Sequence, residues 1–182
     1  YADPAQGETG KTEAWYVVSA REKAEIIYGI KEDITKEDFI KAVESNTVND
    51  VVKRVPVKAG DMVFVPAGMV HALPEGVMVY EVQQNSDTTY RIYDYDRVGD
   101  DGKRRELHIK KGIEVIRFTG ESSCDFNKSS IRCPHFSMDK LEIQGIRNEK
   151  TEEQFIIYCV IAGNGEILYK DSAETLIAGD TI

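Results

Sequence analysis

At 182 residues, with 23 Lys plus Arg against 32 Asp plus Glu and a net charge of −9, the chain is long enough to bury roughly two thirds of its unfolded surface. Its acidity argues against a nucleic acid or an anionic membrane surface as partner, since both require a basic face. No apolar run approaches the ~18 residues of a membrane span, and no charged-then-apolar leader precedes the first strand.

In chain order, the polar opening gives way to β-rich segments separated by turn residues. They are 13–18 (EAWYVV), 24–29 (AEIIYG), 54–57 (RVPV), 61–66 (DMVFVP), 76–83 (GVMVYEVQ) and 88–95 (TTYRIYDY). Aromatic and β-branched residues dominate them, and 77–83 alternates apolar and polar residues with period two, so each is expected to be a sheet strand. One helix interrupts them at about 33–54. Thr35 stands at the N-cap, Glu37 and Asp38 fill the first turn, and Phe39, Ile40 and Val43 share one side. A short second helical turn falls in 49–54. Residues 94–108 carry an Asp-Gly turn between charged arms and are expected to form a solvated hairpin.

Removing the helical segment exposes a repeat. EAWYVV, AEIIYG and KAGDMVFV in the first half correspond in order to EQFIIYCV, GEILYK and IAGDTI in the second. The chain opens without Met and closes where a second apolar strand has just begun, so it is expected to be a piece of something longer. Three cysteines, Cys124, Cys133 and Cys159, lie at neither C-x-x-C nor zinc-knuckle spacing and are read as free thiols in a reducing cytoplasm.

The chemistry centres on residues 60–76, GDMVFVPAGMVHALPEG. Gly60, Pro66, Gly68 and His71 fit the pattern G(x)5PxG(x)2H, the second motif of the cupin superfamily, with Glu75 where that motif closes on Asn. Gly allows the entering turn, Pro-x-Gly forces a reversal, and the histidine then points into the mouth of a small β-barrel. The expected fold class is all-β with a helical insertion: two cupin barrels, the first over 1–118 and the second, incomplete, over 119–182.

With GKTEAWY at 10–16, VPAGMVHAL at 65–73 and SDTTYRIYDYDR at 86–97, the chain resembles the type I mannose-6-phosphate isomerases, in particular their short bacterial form. That resemblance implies interconversion of mannose 6-phosphate and fructose 6-phosphate through an enediol at a zinc ion. Glu13 and His71 match two of the family's metal ligands, whose remaining Gln-x-His pair has no counterpart in this sequence. Lys11 matches the lysine two residues before the metal-binding Glu, Asp87 and Arg91 match an Asp-x-x-x-Arg motif, and Glu81 lies where a catalytic carboxylate is proposed. Larger members carry His-Lys-Pro-Glu where this chain has Gly10, Lys11, Thr12 and Glu13. The implied roles are Arg91 at the enediolate or phosphate end, Glu81 or Asp87 moving protons, and Lys11 donating to a sugar oxygen. His108 and His135 have no partner at metal spacing and are read as structural. The competing reading is a metal-free cupin module that binds a sugar or sugar phosphate without turning it over. A cupin oxygenase lacks its H-x-H pair here.

Overall fold

A computed structural model describes residues 10–95, 97–99, 101–118, 124–151 and 154–182. The chain falls into two compact units, Tyr1–Lys140 and Leu141–Ile182.

In the first unit, β1 (Glu13–Ala20) is the centre of a three-stranded antiparallel sheet, flanked by β4 (Met62–Val65) and β6 (Val77–Gln83). A second such sheet has β2 (Glu25–Ile30) at its centre between β3 (Val52–Pro56) and the short β5 (His71–Ala72). The period-two alternation of β1 and β2 explains how the sheets stack. Trp15 and Val17 from β1, Ile26 and Tyr28 from β2, Val55 from β3, and Val63 and Val65 from β4 close into one buried cluster. The intervening residues face outward and are covered in turn. Ala14 and Met62 pack beneath Ile131 of the hairpin β7 (Ser130–Arg132) and β8 (Ser137–Asp139). Ile27 packs with Phe39, Val48 and Val52 beneath the helical insertion.

The insertion is α1 (Lys36–Glu44) followed by the single turn α2 (Val48–Val51). The expected N-cap is present: Thr35 Oγ1 accepts from the Asp38 N–H at 3.1 Å, and the Asp38 carboxylate accepts from the Thr35 N–H at 3.3 Å. This reciprocal pair satisfies two orphan donors of the first turn, and the Thr35 hydroxyl, donating to Asp38 Oδ2 at 2.6 Å, is the chief cause holding the Asp38 carboxyl below its ordinary range. Helix α3 (Ile109–Val115) carries a Gly in its middle, which hides it from a propensity reading. That glycine is a contact point, because a Cβ at Gly112 would stand 2.9 Å from Ile92 Cγ1.

Residues 88–95 do not form the expected strand. Ile92 and Tyr93 do pack against the cluster beneath the helical insertion, but the backbone joins no ladder among the described residues, the His108 N–H donating to the Arg91 carbonyl at 2.7 Å as an isolated bond. Alternating aromatic residues report a half-buried surface rather than a ladder partner. Residues 94–108 make only part of the expected hairpin, a bridge between Val98 and Arg104 with Gly99 N–H donating to Lys103 O at 2.8 Å. The segment is not wholly solvated, since Asp94 is buried.

In the second unit β9 (Asn164–Tyr169) and β10 (Ser172–Ile177) form an antiparallel hairpin. The repeat led to a strand over 153–160. Glu153 lies outside the described residues, and in place of a ladder strand 154–160 contributes a bridge between Cys159 and Thr181, with Tyr158 and Ile182 exchanging backbone hydrogen bonds at 2.9 and 3.0 Å and the Val160 N–H donating to Asp180 O at 2.9 Å. The architecture is strand-rich with few helices, as in a cupin-like fold. Among the described residues the strands form two- and three-stranded sheets, and no closed barrel.

Candidate active site

Glu13, Trp15 and Val17 share the inward face of β1, and the register puts Trp15 opposite Glu81 and Val17 opposite Val79 on β6. Glu13 and Glu81 therefore emerge at the same end of the space between the sheets. His71 arrives from the facing sheet, where β5 pairs it with Tyr28. Its position is set by the preceding turn. The Met69 N–H donates to Pro66 O at 3.1 Å, with Gly68 at φ +86° in the third place, which is the left-handed position of a type II turn. The Gly68 carbonyl accepts from the Arg117 N–H at 2.9 Å and the Val70 carbonyl from the Gly29 N–H at 2.7 Å, fixing both sides of the turn.

The sequence-derived candidates Lys11, Glu13, His71 and Glu81 converge. Lys11 Nζ lies 3.0 Å from Glu13 Oε1 and 3.8 Å from Glu81 Oε1. His71 Nε2 lies 3.7 Å from Glu13 Oε2. The Glu13 side chain is 3% exposed while those of Lys11, His71 and Glu81 are 25%, 32% and 34% exposed, so a buried carboxylate sits under a rim that solvent reaches. Lys11 is held there by its neighbour, since Thr12 exchanges hydrogen bonds with Gln84, N–H to Oε1 at 2.8 Å and carbonyl to N–H at 2.9 Å.

Met69 O lies 2.9 Å from His71 Nδ1. A carbonyl only accepts, so Nδ1 carries a proton, and in the neutral ring the lone pair of Nε2 then faces Glu13. In that tautomer two acceptors face each other at 3.7 Å. Two donor atoms on one tetrahedral zinc, each about 2.1 Å from the ion, lie roughly 3.4 Å apart. The pair suits two corners of such a site. A catalytic zinc takes three protein ligands, and among the described residues no group of three or more His, Cys, Asp or Glu is arranged to hold a metal ion. Glu13 and His71 therefore offer two donor atoms at a spacing that would fit one ion, and the described side chains do not by themselves make a metal site.

Arg91 and Asp87 have other surroundings. Arg91 Nε stands 4.0 Å from Asp94 Oδ1, and its guanidinium donates to the Glu106 carbonyl at 3.4 Å. Arg105 Nε donates to Asp94 Oδ2 at 2.8 Å. That hydrogen bond, followed by the charges of Arg105, Arg91 and Arg97, holds the Asp94 carboxyl below its ordinary range. Asp87 is exposed in the irregular stretch after β6, beside a tight turn in which Ser86 N–H donates to Gln84 O at 2.7 Å. His108 lies beside Arg91, its Nδ1 accepting from the Arg91 N–H at 3.4 Å.

The sequence reading passed over Trp15. Its Nε1–H lies 3.1 Å from Glu13 Oε2 and 3.1 Å from Glu81 Oε2, and its ring meets that of His71 edge-on at 5.4 Å. The available signal was its period-two spacing from Glu13, hidden because a tryptophan in a strand is expected in the core, where this one also is.

Facing antiparallel sheets with a carboxylate, a histidine and a lysine gathered at one end define a cupin-like protein with a polar site at its mouth. No family model matches the chain. It is 40% identical over 184 residues to the mannose-6-phosphate isomerase ManA of Bacillus subtilis, an alignment covering 96% of this chain and 58% of that protein. The crystal structure of the mannose 6-phosphate isomerase from Bacillus subtilis superposes with a TM-score of 0.85 at 36% identity, over 97% of this chain and 59% of that one. A mannose 6-phosphate isomerase bound with zinc and yttrium shares the fold at a TM-score of 0.56 and 12% identity, over 94% of this chain and 60% of that one. The chain is thus a homologue of proteins named mannose-6-phosphate isomerase across nearly its whole length, and it spans less than two thirds of theirs.

Proposed function

We propose that this chain carries the active-site cup of a zinc-dependent isomerase that interconverts mannose 6-phosphate and fructose 6-phosphate, its two β-repeats each forming part of a cupin barrel. The observation that carries this reading is the convergence of Lys11, Glu13, His71 and Glu81 from two facing sheets. With His71 neutral, these side chains carry one net negative charge. That balance suits a cation and sugar hydroxyls and is unfavourable for a phosphate, so the phosphate end of the substrate belongs outside the cluster. Arg91, permanently cationic and forked, is the proposed contact there or at the enediolate.

Glu13 and His71 would be two of the zinc ligands, and the ion's chemistry when bound is polarisation of a sugar oxygen. The chain's own residues supply the proton movements. Glu81, at the rim and hydrogen-bonded to Trp15, is proposed to move the proton between C2 and C1, with Asp87 as the other candidate. Lys11 is proposed to donate to a sugar oxygen on which charge develops.

One observation favours the alternative, a metal-free module that holds a sugar phosphate. Both Glu13 oxygens already have donors, Lys11 on one and Trp15 on the other. Zinc content and turnover of mannose 6-phosphate, measured on the full-length protein, separate the two. Stoichiometric zinc with isomerisation, both lost in Glu13→Ala and His71→Ala, supports the isomerase. A folded wild type that binds the sugar phosphate without zinc or turnover rejects it. Arg91→Ala should abolish turnover without unfolding, and unchanged activity would remove Arg91 from the mechanism.

A further inference from the structure

The two carboxylates of the site are joined by two donors of different kinds. Lys11 Nζ faces one oxygen of each, at 3.0 Å from Glu13 Oε1 and 3.8 Å from Glu81 Oε1. Trp15 Nε1–H faces the other oxygen of each, at 3.1 Å from both Glu13 Oε2 and Glu81 Oε2. Lys11 is a flexible, partly exposed chain whose ammonium is free to turn to a ligand. Trp15 is 1% exposed and wedged in the core among Val17, Val63 and Val65. Its indole N–H is therefore a fixed point. Two like charges brought together repel, and a rigid neutral donor aimed between them offsets that repulsion without moving.

We propose that Trp15 is a positioning residue. Its indole N–H is shared by Glu13 and Glu81, which sets their separation and aim, while the ring edge at 5.4 Å seats the His71 imidazole. Lys11 is then able to leave the pair for a substrate oxygen without the carboxylates springing apart. The proposal rests on the isomerase reading for its catalytic consequence, and on the hydrogen-bond geometry alone for its structural half.

The test uses the full-length protein and separates the N–H from the bulk of the ring. Replacing Trp15 by its benzothienyl analogue, in which sulfur takes the place of the indole N–H, keeps the shape and removes the donor. Trp15→Phe removes the donor together with some of the volume. Displacement of a catalytic carboxylate predicts a fall in kcat of about 10- to 100-fold for the analogue, with KM within about twofold and the circular dichroism of the folded protein retained. Wild-type kcat in the analogue would overturn the proposal.

A second readout needs no activity. In 1H–15N spectra, the indole resonance that Trp15→Phe removes should shift upfield in Glu81→Ala, because a charged acceptor has been deleted from its N–H. An unmoved resonance would overturn the shared hydrogen bond. If the wild type turns over no sugar phosphate, the isomerase reading fails, while the resonance still decides the role of Trp15.

Discussion

Gly68→Ala tests the turn that delivers His71. Gly68 has φ +86°, and a Cβ there would stand 2.6 Å from the carbonyl oxygen of Val115 and 3.3 Å from Arg117 Cγ. Two costs follow. An L-residue in the left-handed region loses about 1–2 kcal/mol, and forcing a methyl against a backbone carbonyl adds about 1–3 kcal/mol of the overpacking kind. The carbonyl has little room to retreat, because Val115 closes α3 and the Arg117 N–H is bonded to Gly68 O. Gly60 is the internal control. Its φ is +91°, and its added Cβ would meet only the flexible end of Lys140, at 3.5 Å, so Gly60→Ala carries the conformational cost alone. Urea unfolding followed by the fluorescence of Trp15, the sole tryptophan of the 182 residues, reads both variants in one experiment. Gly68→Ala should be the less stable of the two by about 1–3 kcal/mol. Equal losses would refute the close approach of Val115.

Three further outcomes follow from packing and charge. Phe39 is fully buried against Ile27, Val48 and Val52, so Phe39→Ala should destabilise by about 3–5 kcal/mol; a loss under about 1 kcal/mol in denaturant titration would mean that the helical insertion is not part of the cooperative unit. Tyr28 is pushed up to about 12 by burial and then by the charge of Cys124, so an ultraviolet titration should show a late tyrosine step, well above the ordinary value of about 10, that Tyr28→Phe removes. The folded value lies above the unfolded one, so this group's share of stability is complete below about pH 10 and falls as pH rises toward 12. Asp94 has the opposite sign: Arg105 holds its carboxyl low, so its contribution is present above the ordinary carboxylate range and is lost as pH falls through the depressed value. Acid unfolding of Asp94→Asn should lack that component, and a curve superimposing on the wild type would contradict it.

What the sequence disclosed, and what it concealed, divides along range of interaction. The cap at Thr35, the helix behind it and the Pro66–Gly68 turn are built from residues within a few positions of one another, so local chemistry suffices to read them. Glu13 and His71 were singled out through motif spacing, and their side chains lie 3.7 Å apart. The false strand at 88–95 has a different origin: Ile92 and Tyr93 meet a helical insertion and Gly112, and alternation of apolar residues does not distinguish such a neighbour from a paired strand. Trp15 was hidden by doubling as a core residue. A side chain whose ring fills the interior while its one polar atom serves the site looks, in sequence, like packing alone.

The partner of His71 Nδ1 is the carbonyl of the residue two places earlier, and this has a consequence for how the site tolerates change. Substituting Met69 alters what its side chain packs against but leaves the acceptor in place, because every amino acid brings the same C=O. The Nδ1 donor is assigned by main chain inside a single turn, so variation that drifts through neighbouring side chains leaves Nε2 as the nitrogen turned toward Glu13.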